Sequence, residues 1–144
     1  MEVGPGQGYL MRELKKRLPN LDYYVVESDS SVHDDLKRHG VTLVDVVDVQ
    51  TIKSVDAVIA THVLEHTLDP IGFLKHFTTP LNPGGAVFIE TPCLDHEYKD
   101  LHEPHMLFFE KCTLSRCFEM CELQHVTLTY NGDVIPNLRR NGFI

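Results

Sequence analysis

The chain has 144 residues, 42% of them hydrophobic, which is enough for one domain with a substantial core. Its 13 basic and 21 acidic residues give a formal net charge of −8, which disfavours nonspecific binding to nucleic acid or to anionic membranes. The sequence contains no apolar run long enough to span a bilayer and no secretory signal, so we expect a cytoplasmic protein.

A strand end, a glycine-rich turn and a helix are predicted at the start of the chain. Glu2-Val3 is typical of a strand end, and the run Gly4-Pro5-Gly6-Gln7-Gly8 places glycine at alternate positions. The amphipathic segment Tyr9–Leu18 then predicts a helix. Alternate glycines let main chain approach a ligand closely, and a helix N-terminus offers free N–H donors. The turn is therefore a candidate site for a polar ligand.

The first predicted strand is short. A central parallel strand usually has about five residues, so most of this one would precede Met1. We therefore expect either that the chain lacks part of its N-terminal strand, as a fragment of a longer protein would, or that the strand is unusually short.

Strands and helices alternate along the rest of the chain. Further strands are predicted at Tyr23–Val26, Val41–Val47, Asp56–Ala60 and Ala86–Glu90, with a strong turn at Asn82–Gly85 before the last of them. Further helices are predicted from Asp29 or Ser30 to His39, from Asp69-Pro70, and from a Thr113 cap. This alternation predicts an α/β, Rossmann-like, doubly wound and mostly parallel sheet in a single domain spanning residues 1–144.

Apolar spacing predicts buried side chains in the first and last helices, and one further strand is weakly predicted near the end of the sequence. The first helix should bury Leu10, Met11, Leu14 and Leu18, and Cys112, Cys117 and Cys121 should be core residues rather than reactive thiols. His125–Tyr130 alternates enough for a strand, and Asn131-Gly132 predicts a turn into an antiparallel hairpin, which Pro136 would interrupt.

Polar residues follow several of the predicted strands, where ligands bind in open α/β sheets. Glu27 follows the second strand, 27 − 8 = 19 residues beyond Gly8, and a carboxylate there can accept both hydroxyls of a ribose. Asp48 follows the third strand and is placed to meet an adenine amino group, although Asp45 could take that role. Thr61-His62 follows the fourth strand.

Longer runs carry a resemblance to a known family. They are V-D-A-V-I-A-T-H-V-L-E-H-T-L-D-P at residues 55–70, L-N-P-G-G-A-V-F-I-E-T-P at residues 81–92, and H-E-P-H-M-L-F-F-E at residues 102–110. Together with the glycine turn they resemble the motifs of class I S-adenosylmethionine-dependent methyltransferases of the small-molecule type. The resemblance implies transfer of the methyl group of S-adenosylmethionine to a small-molecule acceptor, with S-adenosylhomocysteine as the product.

The resemblance also implies a role for individual residues. Gly4, Pro5 and Gly6 would line the methionine portion of the cofactor with Glu2 near its ammonium, Glu27 would hold the ribose, Asp48 and Val49 would face the adenine, and Thr61 and His62 would lie near the sulfonium. His105, favoured over His102, would be the base that assists an acceptor, because histidine is the usual base near neutral pH.

Alternatives remain open at this stage. The chain could be a truncated cofactor-binding or structural remnant without turnover, or a nicotinamide-dependent dehydrogenase, although the glycine spacing argues against the latter. Cys93, His96, His102 and His105 have ligand-like spacing for zinc, but we expect no metal site, and we expect Glu65-His66 to be a structural corner. Pairing with a second copy of the chain would complete a truncated sheet.

Overall fold

A five-stranded, all-parallel sheet organises the part of the chain that the computed structural model describes, residues 1–93 and 105–130. The strands are β1 (Glu2–Val3), β2 (Tyr24–Val26), β3 (Thr42–Leu43), β4 (Val55–Thr61) and β5 (Leu81–Glu90). The helices are α1 (Tyr9–Arg17), α2 (His33–Arg38), α3 (Pro70–Thr78) and α4 (Lys111–Met120), and short 3-10 helices cover Ser30–Val32, Val46–Thr51 and Leu64–His66.

The spatial order of the strands is β3-β2-β1-β4-β5, so the predicted Rossmann-like α/β fold is confirmed. β1 is central and pairs on both sides, with Glu2 opposite Val25 of β2 and Ile59 of β4. The winding direction reverses between β1 and β4, which is where open α/β sheets form a ligand crevice. The glycine turn that follows β1 therefore opens into that crevice.

The sheet is covered on both faces. Val25 and Val26 are neighbours on β2 but join different apolar clusters, since successive side chains of a strand point to opposite faces. One cluster contains Met11 and Leu36 from the first two helices, and the other contains Val49 and Phe77. A third cluster packs α3 against α4 and holds Leu64, Leu74, Phe109, Cys117 and Phe118.

Several element boundaries differ from the prediction. The third strand ends at Leu43 because the Asp45 carboxylate accepts the Val47 N–H and caps a 3-10 helix. The predicted turn at Asn82–Gly85 is a bulge inside β5, since Val55 pairs with Leu81 and Ala57 already pairs with Ala86. Helix α4 begins at Lys111 after the cap residue Glu110, so Thr113 lies inside the first turn.

The predicted strand at His125–Tyr130 is not formed, and its hairpin turn at Asn131-Gly132 lies outside the described residues. A cavity of about 710 Å³ lies between β5 and residues 122–129, so this segment makes no ladder with β5. A strand without a hydrogen-bonded neighbour has nothing to hold its register.

Three side chains are more exposed than the apolar pattern predicted. Leu10 is 36% exposed and Leu18 is 54% exposed, so the buried contact of α1 rests on Met11, which is fully buried. Cys112 is exposed, whereas Cys117 is buried as predicted. Within the described residues, no helix has both the length and the apolar character that crossing a membrane would require.

Candidate functional site

The glycine turn packs closely against its neighbours at its two ends. The Gly4 N–H donates to the Val26 carbonyl at 2.8 Å, which ties the turn to β2. Gly4 has a φ of 65°, and a Cβ atom there would lie 2.6 Å from Val63 Cγ2. At Gly8, where φ is 70°, a Cβ atom would lie 2.8 Å from Leu36. Only glycine therefore fits at both ends, because the conformation and the space both exclude a side chain.

The middle of the turn is open and is joined to Glu27. Gly6 has a φ of 52°, and a Cβ atom there would meet no atom within 4 Å. Its N–H donates to Glu27 Oε2 at 2.9 Å, while the Asp29 N–H donates to Oε1 at 2.8 Å. The half-buried Glu27 carboxylate is thus held by main chain from two segments, and its remaining lone pairs can accept hydroxyl groups of a ligand.

The Glu2 carboxylate is engaged inside the fold. Glu2 is 2% exposed and accepts a hydrogen bond from the Tyr23 hydroxyl at 2.7 Å. Burial raises the pKa of Glu2, and the hydrogen bond from Tyr23 offsets part of that effect. Contact between Glu2 and the ammonium of a cofactor stays a prediction, and as described the carboxylate already has a partner.

The acids after β3 have different surroundings. The Asp45 carboxylate caps the 3-10 helix through the Val47 N–H at 3.1 Å, so it is committed to local structure. Asp48 is exposed in the first turn of that helix, and Val49 is fully buried in the core. Of the two acids, Asp48 is therefore the one whose carboxylate is available at this edge of the sheet.

The residues after β4 approach the glycine turn. Val63 contacts Gly4, so Thr61 and His62 are brought next to the turn. The His62 N–H donates to the Glu90 carbonyl at 2.8 Å, and His62 has a φ of 54°. Left-handed backbone at a non-glycine residue costs about 1 kcal/mol or more and is often found at functional sites.

A buried carboxylate lies beside His105. The side chain of Glu65 is fully buried, and its Oε2 accepts from Thr91 Oγ1 at 3.1 Å. Its other oxygen lies 3.5 Å from His62 Nδ1 and 4.0 Å from His105 Nε2. The Glu65 carbonyl also accepts the N–H groups of Met106 and Leu107 at 2.9 and 3.0 Å. The main chain of Glu65 thus fixes the segment that carries His105, and its side chain is held by Thr91.

Contacts bring together some of the residues that the sequence indicated. Gly6 donates to Glu27, Gly4 donates to the neighbouring Val26 carbonyl, and Val63, next to His62, packs against Gly4. Asp48 follows β3 at the same edge of the sheet, and no hydrogen bond among the described residues joins it to this group. His102 lies outside the described residues. Sequence reasoning missed Thr91 and the nearness of Glu65 to His105. The isolated acid in the apolar run V-L-E-H was the one available signal, since a buried acid requires a partner.

Comparisons with known proteins identify the family and the fold. A protein-family model described as a methyltransferase domain matches residues 1–127. No curated protein matches the chain.

Solved structures share the fold at low sequence identity. The structure of PigF with SAH has a TM-score of 0.72 at 16% identity, and the match covers 90% of this chain and 46% of PigF. A Haloferax volcanii complex of the Trm112 methyltransferase activator and a methyltransferase gives 0.65 at 16%, covering 83% and 58%. An S-adenosylmethionine-dependent methyltransferase from Mesorhizobium loti gives 0.63 at 12%, covering 83% and 71%. The chain spans about half the length of the first two of these structures.

Proposed function

The chain belongs to the methyltransferase domain family, and we propose that it transfers the methyl group of S-adenosylmethionine to a small-molecule acceptor. The observation that carries the proposal is the hydrogen bond of 2.9 Å between the Gly6 N–H and Glu27. It joins the open glycine turn, which follows β1 beside the reversal of strand order between β1 and β4, to a carboxylate that follows the neighbouring strand β2. The solved structure of PigF, which shares the fold, is a complex with SAH.

The proposed cofactor site follows the carboxyl ends of the strands. Gly4, Pro5 and Gly6 would lie along the methionine portion with Glu2 behind them, and Glu27 would accept the ribose hydroxyls. Asp48 and the main chain at Val49 would meet the adenine, and Thr61 with His62 would lie near the sulfonium. The open space in front of Gly6 fits such a ligand, because a side chain at that position would fill it.

Methyl transfer from a sulfonium requires alignment of the acceptor more than strong acid–base catalysis. A sulfonium methyl group is already a good electrophile, and the protein has to hold an acceptor in line with the S–CH3 bond and to exclude water. His105 is the proposed base for an acceptor that must lose a proton, with His102 as the second candidate. The His105 side chain is 5% exposed and lies against the buried Glu65, so it is shielded from bulk water.

Support for a small acceptor comes from charge. The excess of acidic over basic residues, 21 against 13, disfavours a nucleic acid acceptor because phosphates would be repelled.

The alternative function is a remnant that binds the cofactor without turnover. Methylation of any acceptor by the purified chain, followed by mass spectrometry, would reject it.

Calorimetric titration with S-adenosylhomocysteine tests the proposed site. We expect one molecule to bind per chain and binding to be lost in Gly6→Arg. In Glu27→Ala we expect binding to weaken at least about tenfold, since the two charge-assisted hydrogen bonds from the ribose hydroxyls disappear. Gly84→Arg is the matched control, because Gly84 has a φ of 78° and, like Gly6, no atom within 4 Å of an added Cβ. A folded parent chain that binds no S-adenosylhomocysteine, or equal loss in both arginine variants, would contradict the proposal.

A further inference from the structure

Three side chains that can ligate a metal ion meet near the carboxyl end of β4. Glu65, His66 and His105 each place a ligand atom within 4.8 Å of the other two. The first two belong to the 3-10 helix after β4, and His105 belongs to the segment before α4. Hydrogen bonds from Met106 and Leu107 to the Glu65 carbonyl hold these two segments together. The cluster is therefore a product of the fold, since its two parts, Glu65-His66 and His105, lie 105 − 66 = 39 positions apart in the sequence.

One ligand atom of the cluster, Glu65 Oε1, is in an environment that favours a positively charged partner. Glu65 is fully buried, and its Oε1 has no hydrogen-bond partner among the described residues. Imidazole nitrogens of His62 and His105 lie 3.5 and 4.0 Å from this oxygen, and neither makes a hydrogen bond to it. Buried carboxylates are normally paired with a cation or bound to a metal ion, because an uncompensated buried charge is costly.

We propose that Glu65, His66 and His105 bind a divalent transition metal ion of the zinc type. Two imidazoles and one carboxylate form a ligand set that zinc uses where it keeps an open coordination position. Imidazole nitrogen suits zinc, copper, nickel and iron better than it suits magnesium or calcium. The set differs from the Cys93, His96, His102 and His105 spacing in the sequence, of which it shares only His105.

The positions of the three residues fit the entry and the capture of an ion. Glu65 is buried, His105 has a side chain that is 5% exposed, and His66 is exposed, so an ion would enter past His66. Ligand atoms of a tetrahedral zinc site lie about 3.3 Å apart when the bonds are about 2.0 Å long. The 4.0 Å separation of Glu65 Oε1 and His105 Nε2 would close to that value with small side-chain movements.

This site goes beyond the proposed methyl transfer and does not depend on it. A bound ion would engage the imidazole that the proposed function treats as a base, so metal binding and proton abstraction by His105 exclude each other. Zinc at this cluster would consequently suppress a reaction that relies on His105.

Titration of untagged, metal-free protein with cobalt(II), followed by visible absorption, tests the site. We expect one equivalent to bind with the strong absorption of a low-symmetry cobalt centre and to be displaced by one equivalent of zinc. Removing a ligand in Glu65→Gln, His66→Gln or His105→Gln should weaken binding at least about tenfold, because even residues that only orient metal ligands are worth that much. His39→Gln is the matched control, since His39 is an exposed imidazole outside the cluster.

The exposed position of His66 keeps the test decisive if the change at the buried Glu65 prevents folding. Circular dichroism checks the fold of each variant, and S-adenosylhomocysteine binding is measured separately, so failure of the metal site is distinguishable from failure of the proposed function. Absence of stoichiometric cobalt binding by the parent protein, or equal affinity in His66→Gln, His105→Gln and His39→Gln, would overturn the proposal.

Discussion

At the scale of single residues, Glu2 combines a position in the central strand with an unfavourable environment for charge. Burial raises the pKa of its carboxyl above the ordinary 4.5, and the hydrogen bond from Tyr23 only partly offsets this. A group whose folded-state pKa is raised adds stability below its unfolded pKa and loses that contribution as the pH rises through the folded value. The ionised form of Glu2 is therefore a cost at neutral pH.

We predict that Glu2→Gln makes the protein more stable relative to the parent as the pH rises from about 4.5 to 7. The gain should be about 1.4 kcal/mol for each unit by which the pKa is raised, because the amide keeps an acceptor for Tyr23 but carries no charge. Urea unfolding across this pH range measures the difference. Glu119→Gln is the control, since Glu119 is exposed and pairs with Arg116 at 2.8 Å. A constant difference between Glu2→Gln and the parent would show that burial of Glu2 is not what disfavours its charge.

His62 carries backbone strain at the proposed site. Its φ of 54° lies in the left-handed region, where a residue with a Cβ atom is disfavoured. We predict that His62→Gly raises the free energy of unfolding by up to about 1 kcal/mol, because relief of strain exceeds the entropy that glycine loses on folding. Thermal unfolding measures this, and His39→Gly, at a φ of −87°, should destabilise the protein. Destabilisation of similar size in both variants would argue against strain at His62.

At the scale of elements, the apolar pattern located helices well but did not identify every buried position. The start of α3 was predicted from Asp69-Pro70, and the Asp69 carboxylate does accept the Gly72 N–H at 2.8 Å. A cap of this kind is local, so the sequence alone determines it. The length of β3 depends instead on competition between a strand and the Asp45-capped 3-10 helix, which the apolar run Val41–Val47 does not reveal.

In helix α1, too, the apolar pattern does not identify which side chains are buried. Periodicity predicted four buried apolar residues, but Met11 is fully buried while Leu18 is 54% exposed. We predict that Met11→Ala costs about 2–5 kcal/mol of stability because it leaves a cavity in the core, whereas Leu18→Ala costs less than about 0.5 kcal/mol. Denaturant unfolding distinguishes the two. Equal costs would mean that α1 packs through its whole predicted stripe.

At the scale of the whole molecule, the parallel sheet was the most predictable feature and the assembly of the site the least. Alternating strands and helices allow few arrangements, and the parallel sheet with its reversal between β1 and β4 is one of them. The glycine turn and Glu27 were predictable because each follows a strand. The placement of Glu65 beside His105 and Thr91 was not, because it depends on how distant segments pack after the sheet has formed.

The proposed cofactor site is separate from the cavity beside β5. That cavity of about 710 Å³ is lined by β5 and by residues of α4 and 122–129, and it contains none of the residues proposed to hold the cofactor. The cavity is therefore distinct from the crevice at the carboxyl ends of β1 and β4.

The most direct test of the central claim is to map S-adenosylhomocysteine on the folded chain by amide chemical shifts. The account predicts that shifts change at Gly4–Gly8, Glu27–Ser28, Asp48–Val49 and Thr61–His62, while Gly84 and α4 stay unchanged. These groups follow four different strands, so their joint response would place the ligand in the crevice between β1 and β4. Changes confined to β5 and residues 122–129, or no change at saturating ligand, would contradict the account.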